Sequence, residues 1–356
     1  MAGKTEESAS PMKRVVTWAG YATALIGLGG SLLGGVRWYQ DRREHKAETA
    51  AKMATAEGLD RDGQYKAAVE SYGAMLKDSP LDAAVQKARL KAAMDWAENF
   101  HVVHDESQRV SDLAGPDLDE MLAILNDGLG RSSGTEAADV QAHLGWAHWL
   151  NQHIAEREFG SAANDNFQAA LKVDPSNVYA NAMLGNYLLQ NGGNFAEGVA
   201  HLNTAVATGK ARPFVRELQI GGLSGTDVTG TRAELFRAAN DMRKDGESLD
   251  DGLRSRIRNV CCNPPYTMPD MLKESFTSVP QQDAWPTYLW LDNPQQDGSY
   301  ADAQRFTRDY LQAYLLEIKG KKAEALQRYK AVQSEITGKH SSFEGPVDEA
   351  IKRLSA

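Results

Sequence analysis

Residues 15–36, VVTWAGYATALIGLGGSLLGGV, contain no charged side chain. Wound as a helix rising about 1.5 Å per residue, such a run reaches roughly 33 Å, enough to cross a hydrocarbon core of about 30 Å. Lys13 and Arg14 precede it, and Arg37, Arg42, Arg43 and Lys46 follow. Trp18 and Tyr21 lie near one end and Trp38 and Tyr39 beyond the other, the placement that amphipathic rings favour at a lipid–water boundary. A cleavable signal peptide has a shorter apolar core and a small-x-small cleavage site, and Leu32-Leu33-Gly34-Gly35-Val36-Arg37 offers none. A buried core helix is disfavoured by the six glycines of the run, which weaken a helix in water. The expectation is an uncleaved single-pass transmembrane anchor over residues 13–40, behind a disordered polar tail over residues 1–12.

Within the run, Gly30 and Gly34 form a GxxxG pair, and Gly27, Ser31 and Gly35 extend a stripe of small residues. Such stripes let membrane helices approach closely, so the anchor offers a route to homo-oligomers. Basic residues number three before the span and five after it within residues 1–52, and long translocated domains override flanking charge, so the side of the membrane stays open.

The rest of the chain is of the opposite character. Mean hydropathy over the whole sequence is −0.49. Residues 1–52 hold eight basic and five acidic side chains, a net of +3, which leaves −12 of the total −9 for the remainder. An acidic body of this kind is a poor nucleic-acid ligand. Two cysteines exclude a disulfide scaffold and a four-cysteine zinc module. After residue 40, apolar positions recur at spacings of three and four, and runs of alternating β-branched residues are absent, which predicts an all-α fold.

A small–aromatic–small order recurs along this helical stretch. It reads Ala163, Phe167, Ala170, Leu171, Pro175 in one block and Gly63, Tyr65, Ala68, Tyr72, Leu76, Pro80 in another. Phe195, Gly198, Leu202, Ala205, Val206 and Gly320, Ala325, Tyr329, Val332 continue it, and Leu144-Gly145 and Leu184-Gly185 sit in the preceding helices. The pattern resembles the tetratricopeptide repeat (TPR) family, in which small residues mark close helix crossings, an aromatic fills the gap to the next pair and proline ends the repeat. The match is best over residues 138–177 and 178–211 and fair over 47–82 and 304–337, with 83–130 a degenerate pair. The spacing from Leu144 to Ala163 exceeds the family's by about six residues, and Asn191-Gly192-Gly193 carries an extra glycine.

The resemblance implies a TPR-like helical-hairpin solenoid behind the anchor, with repeats over residues 41–211. Residues 212–300 are an irregular helical insertion or diverged repeats, broken by Pro264, Pro265, Pro269, Pro280, Pro286 and Pro294 around Trp285, Tyr288 and Trp290. Gly221-Gly222-Leu223-Ser224-Gly225 reads as a loop. Residues 301–356 supply a last repeat and a polar-faced capping helix.

Candidate chemistry is sparse. His101, His104, Asp105 and Glu106 lack a further ligand at a set spacing and read as a solvated helix end. His143, His148 and His153 recur every five residues, which on a helix sets neighbours about 140° apart and keeps them from converging on one ion. Cys261-Cys262 reads as two buried free thiols, since a bridge between neighbours is strained. Dinucleotide, phosphate-loop, nucleophile-elbow and zincin motifs are absent, so neither catalysis nor a cofactor is expected.

Binding is what remains. In a solenoid of this kind the first helix of each pair lines a concave groove, which places His143, Trp146, Tyr179, Met183 and Asn186 toward a partner protein or peptide segment. Asn186 stands where some TPR proteins carry a carboxylate-clamp asparagine, but the lysine expected four residues earlier is Ala182. The expected role is a membrane-anchored scaffold or adaptor, similar in layout to bacterial envelope-assembly repeat proteins of the cytoplasmic membrane. The alternative is an enzyme or ligand-binding receptor whose pocket is formed by residues 212–300 against the repeats.

Overall fold

A computed structural model describes residues 46–102, 109–158, 160–226, 228–262, 269–292, 301–338 and 343–356. Among the described residues every regular element is a helix. The apolar run 15–36 with Gly27, Gly30, Ser31, Gly34 and Gly35, the polar tail, and His104, Asp105 and Glu106 lie outside the described residues. No helix among the described residues is long and apolar enough to cross a membrane.

The chain divides into two compact units, with the boundary after Phe100. The first holds α1 (46–61), α2 (Tyr65–Asp78) and α3 (Ala83–Glu98). Gly63, at φ 76°, makes the left-handed turn before α2, and Ala68 and Tyr72 of the predicted block are buried beneath it. Asp82 starts α3 by accepting hydrogen bonds from the Ala84 and Val85 amides. The two helices expected near 83–100 and 117–129 are α3, which ends the first unit, and Val110–Leu129, which opens the second.

The second unit begins with α4 (Val110–Leu129), α5 (Gly134–His153), α6 (Ala162–Val173), α7 (Val178–Gln190), α8 (Phe195–Ala207) and α9 (Arg212–Ser224). α5 packs on α6 and α7 on α8 as hairpins, while α5, α7 and α9 also pack in succession, one layer on the next. The two Leu-Gly pairs sit at the hairpin crossings. A Cβ on Gly145 would lie 2.6 Å from Phe167 Cε1, and one on Gly185 would lie 2.7 Å from the Gly198 carbonyl. Asn177 and Asn194 cap α7 and α8 through the Ala180 and Glu197 amides. The extra residues between α5 and α6 fold back on α4, where Arg157 Nη1 donates to Asp119 at 2.6 Å.

The supposed loop 221–225 is a correction to the sequence reading: Gly221 to Ser224 form the last turn of α9 and Gly225 its C-cap. The glycines serve contact rather than chain reversal. A Cβ on Gly222 would lie 3.1 Å from Asn186 Nδ2 and 3.2 Å from Leu189 Cδ1, so its absence lets α9 press onto α7.

Beyond α9 the hairpin layering gives way to a cluster around α10 (Thr231–Lys244), which contacts α9, α11 (Asp251–Cys261), α12 (Pro269–Thr277) and α13 (Gln281–Asp292). Phe236, Phe276 and Tyr288 fill its core. Pro286 does not break this segment but lies inside α13. α14 (Ala301–Ile318), α15 (Lys322–Ile336) and α16 (Glu344–Ser355) complete the unit. The predicted cap over the last residues is α16, whose Val347 and Ala350 are buried and whose Arg353 reaches Glu317 at 2.8 Å.

Candidate functional site

The five groove residues come together, but largely as core. His143 and Trp146 lie on α5, and Tyr179, Met183 and Asn186 on α7. His143 stacks obliquely on Tyr179 at 4.6 Å between centroids, and Trp146 and Tyr179 both meet Phe214 of α9. Asn186 Nδ2 donates to the Leu218 carbonyl at 2.9 Å. His143, Trp146, Met183 and Asn186 are buried, and Tyr179 alone keeps partial exposure. In the same unit α9 packs on α7, with Phe214 against Trp146 and Tyr179 and the Leu218 carbonyl on Asn186.

The other histidines diverge as their spacing requires. The Nδ1 atoms of His143 and His153 bond to the Asp139 and Trp149 carbonyls one turn earlier, at 2.7 and 3.0 Å. Burial lowers the pKa of His148. Cys261 and Cys262 are buried as expected, yet they are bonded to each other rather than free. Cys262 leaves helical geometry as the C-cap of α11, and the turn places its sulfur beside its neighbour's. Among the described residues no group of three or more His, Cys, Asp or Glu is placed to hold a metal ion.

A cleft of about 490 Å³ opens between the first turns of α9 and α11. Arg212, Pro213, Arg216 and Glu217 line it from α9, Met242 from α10, and Glu247, Ser248 and Asp250 from the turn that follows. Gly252, Leu253 and Arg256 of α11 close the opposite wall. This lining falls wholly within residues 212–256.

An ion-pair network builds its inner end. The Arg216 side chain is 4% exposed, and its Nη2 donates to Glu247 Oε1 at 2.9 Å while Nη1 donates to Gln219 Oε1 at 2.8 Å. Arg212 Nη1 donates to both Glu247 and Asp245, at 2.7 and 2.8 Å. The Arg212 guanidinium holds the Asp245 carboxyl below its usual range. Asp250 accepts from the Leu253 amide at 2.9 Å and so starts α11. Sequence reading passed over these arginines because their partners lie about thirty residues away along the chain.

A second cleft, of about 530 Å³, lies in the first unit among Glu57, Asp60, Arg61, Tyr65, Tyr72, Lys91, Asp95 and Asn99. Lys91 bridges Asp95 and Asp60, the latter at 3.2 Å. Burial pushes the Asp95 carboxyl up against the opposing pull of Lys91. For Lys91, burial acts downward, but the hydrogen bonds and charges of Asp95 and Asp60 outweigh it and raise the pKa. Paired charges contribute to the lining of both clefts. No family model matches the chain, and no curated protein matches it.

Proposed function

We propose that this protein is a membrane-tethered helical-repeat adaptor that holds partner proteins beside a bacterial cytoplasmic membrane, and that it acts by binding rather than catalysis. The observation that carries the proposal is the layering of α5–α6, α7–α8 and α9, with Gly145 and Gly185 at the crossings where the TPR pattern sets its small residues. The uncharged run 15–36 supplies the tether. Tethering raises the effective concentration of any partner confined to the same surface. The arginine-lined cleft of α9 and α11 favours a second reading, a receptor for a small charged ligand.

Proximity crosslinking of the full chain in native membranes, paired with protease accessibility of the helical body, tests the adaptor. A reproducible partner set, lost when residues 13–40 are removed, is the expected result. Release of the intact chain by alkaline carbonate, or labelling no greater than that of an unrelated anchored protein, overturns it.

A further inference from the structure

The sequence contains a single Asn-Gly dipeptide, Asn191-Gly192, and the structure sets it in the turn that joins α7 to α8. Asn191 is the exposed C-cap of α7, at φ −99° and ψ 19°. Gly192 follows at φ 69°, also exposed, with nothing within 4 Å of the place a Cβ would take. Few bonds hold the turn. The Asn191 backbone amide donates to the Tyr187 carbonyl at 3.0 Å, and the Gly193 amide donates to the Leu188 carbonyl at 2.8 Å. The Asn191 side chain donates from Nδ2 to the Tyr187 carbonyl at 2.9 Å. The Gly192 amide makes no hydrogen bond among the described residues.

A backbone nitrogen one residue beyond an asparagine can attack that residue's carboxamide carbon and close a succinimide ring. A side chain on the second residue obstructs the attack, and glycine has none. The exposed Asn99, Asn126 and Asn194 precede Phe100, Asp127 and Phe195, so their next nitrogens are screened. At ψ 19° the Gly192 nitrogen lies turned away from the Asn191 side chain, and closure waits on rotation about the Asn191 Cα–C bond. That rotation gives up the Gly193–Leu188 hydrogen bond at an exposed helix end, where local opening is least costly.

We propose that Asn191 is a self-modification site, deamidated through a succinimide formed with Gly192, and that the change loosens the α7–α8 hairpin. The Gly192 nitrogen bonds to Cγ and the Cγ–Nδ2 bond breaks. Nδ2 departs as ammonia, carrying the proton of the Gly192 amide. Water then opens the ring at either carbonyl and leaves an aspartate or an isoaspartate at position 191. Both products place a negative charge at the C-terminus of α7, where the helix dipole opposes it. The isoaspartate also lengthens the main chain by one methylene. The turn has little room for that, since a Cβ on neighbouring Gly193 would lie 2.9 Å from the Leu188 carbonyl oxygen. This inference is independent of the adaptor reading.

The test incubates the full chain in detergent at mildly alkaline pH and follows every asparagine by peptide mass mapping, with labelling by an isoaspartate-specific methyltransferase. The mass gain of an oxygen replacing an NH is expected at position 191 before any other asparagine, with methyl labelling of the same peptide. Asn191→Gln loses both signals; the position is exposed, so the variant retains the helical circular dichroism of the parent. The aged chain, separated by its added charge on an anion exchanger, is expected to unfold at a lower urea midpoint than the parent. Asn191→Asp adds the charge without the methylene and is expected to show only part of that shift. A mass gain that comes first at another asparagine, or labelling that persists in Asn191→Gln, overturns the assignment of the site. Equal urea midpoints for aged and parent chains overturn the loosening of the hairpin.

Discussion

Gly145 of α5 lies so close to Phe167 of α6 that a Cβ there would stand 2.6 Å from ring atom Cε1 and 2.9 Å from the Ala163 carbonyl oxygen. The ring could turn aside, but the backbone oxygen could not. Gly145→Ala is therefore expected to lose about 1–3 kcal/mol, read as a lower urea midpoint. Gly58 lies in α1 with open space around its Cα, and Gly58→Ala is expected to gain about 0.5–1 kcal/mol. A Gly145→Ala chain as stable as the parent would mean that this crossing is not tight.

The Arg216–Glu247 pair ties α9 to the turn between α10 and α11. Glu247→Ala leaves a guanidinium buried without its counter-charge, and the expected cost is about 3–5 kcal/mol. The double change Arg216→Met with Glu247→Leu removes both charges and should recover most of that loss. A double-mutant cycle in urea measures the coupling. A cost below about 1 kcal/mol for Glu247→Ala would place the pair with ordinary surface ion pairs.

Asn151 is fully buried on α5, and neither atom of its amide has a hydrogen-bond partner among the described residues. An apolar residue of similar size removes that penalty. Asn151→Leu is expected to be neutral or to stabilise by about 1–3 kcal/mol. A clear loss of stability on the same substitution would show that the amide is satisfied in solution, for instance by a bound water.

Burial lowers the pKa of His148 and of His201, whose Nδ1 lies 2.8 Å from Asn181 Oδ1. A histidine whose folded pKa is depressed binds protons more readily when unfolded. Stability is then present above the unfolded value of about 6.5 and falls as the pH drops through it. Asp95 and Asp139 act the other way at lower pH, since burial raises their pKa values. The thermal midpoint should fall between about pH 7 and pH 5.5, and the His148→Gln, His201→Gln double variant should show a shallower fall. An identical slope in that variant would assign the acid sensitivity to other groups.

Much of the helical framework was legible in the chain. Leu144-Gly145 and Leu184-Gly185 mark close crossings because only glycine tolerates that approach, and this constraint is written in the residue itself. Phe167, Tyr72 and Tyr329 are buried where the repeated pattern sets its aromatics. Asp82, Asn177 and Asn194 start their helices through local hydrogen bonds that need no distant partner, a signal the sequence reading did not use. The glycines at 221 and 222 misled, because the same residue serves a turn and a tight helix contact, and sequence spacing does not tell the two apart.

The site was far less legible. His143, Trp146, Met183 and Asn186 carry the right residue types for a groove and are buried, and nothing local to α5 or α7 encodes where α9 will dock. The cleft depends on Arg212 and Arg216 of α9 meeting Glu247 in the turn after α10. By itself the sequence determined an all-helical body and its hairpin crossings, because periodicity and glycine size act within a few residues. Which faces are buried and which charges are engaged were decided only by the tertiary structure, because those outcomes depend on groups some thirty residues apart being brought within about 3 Å.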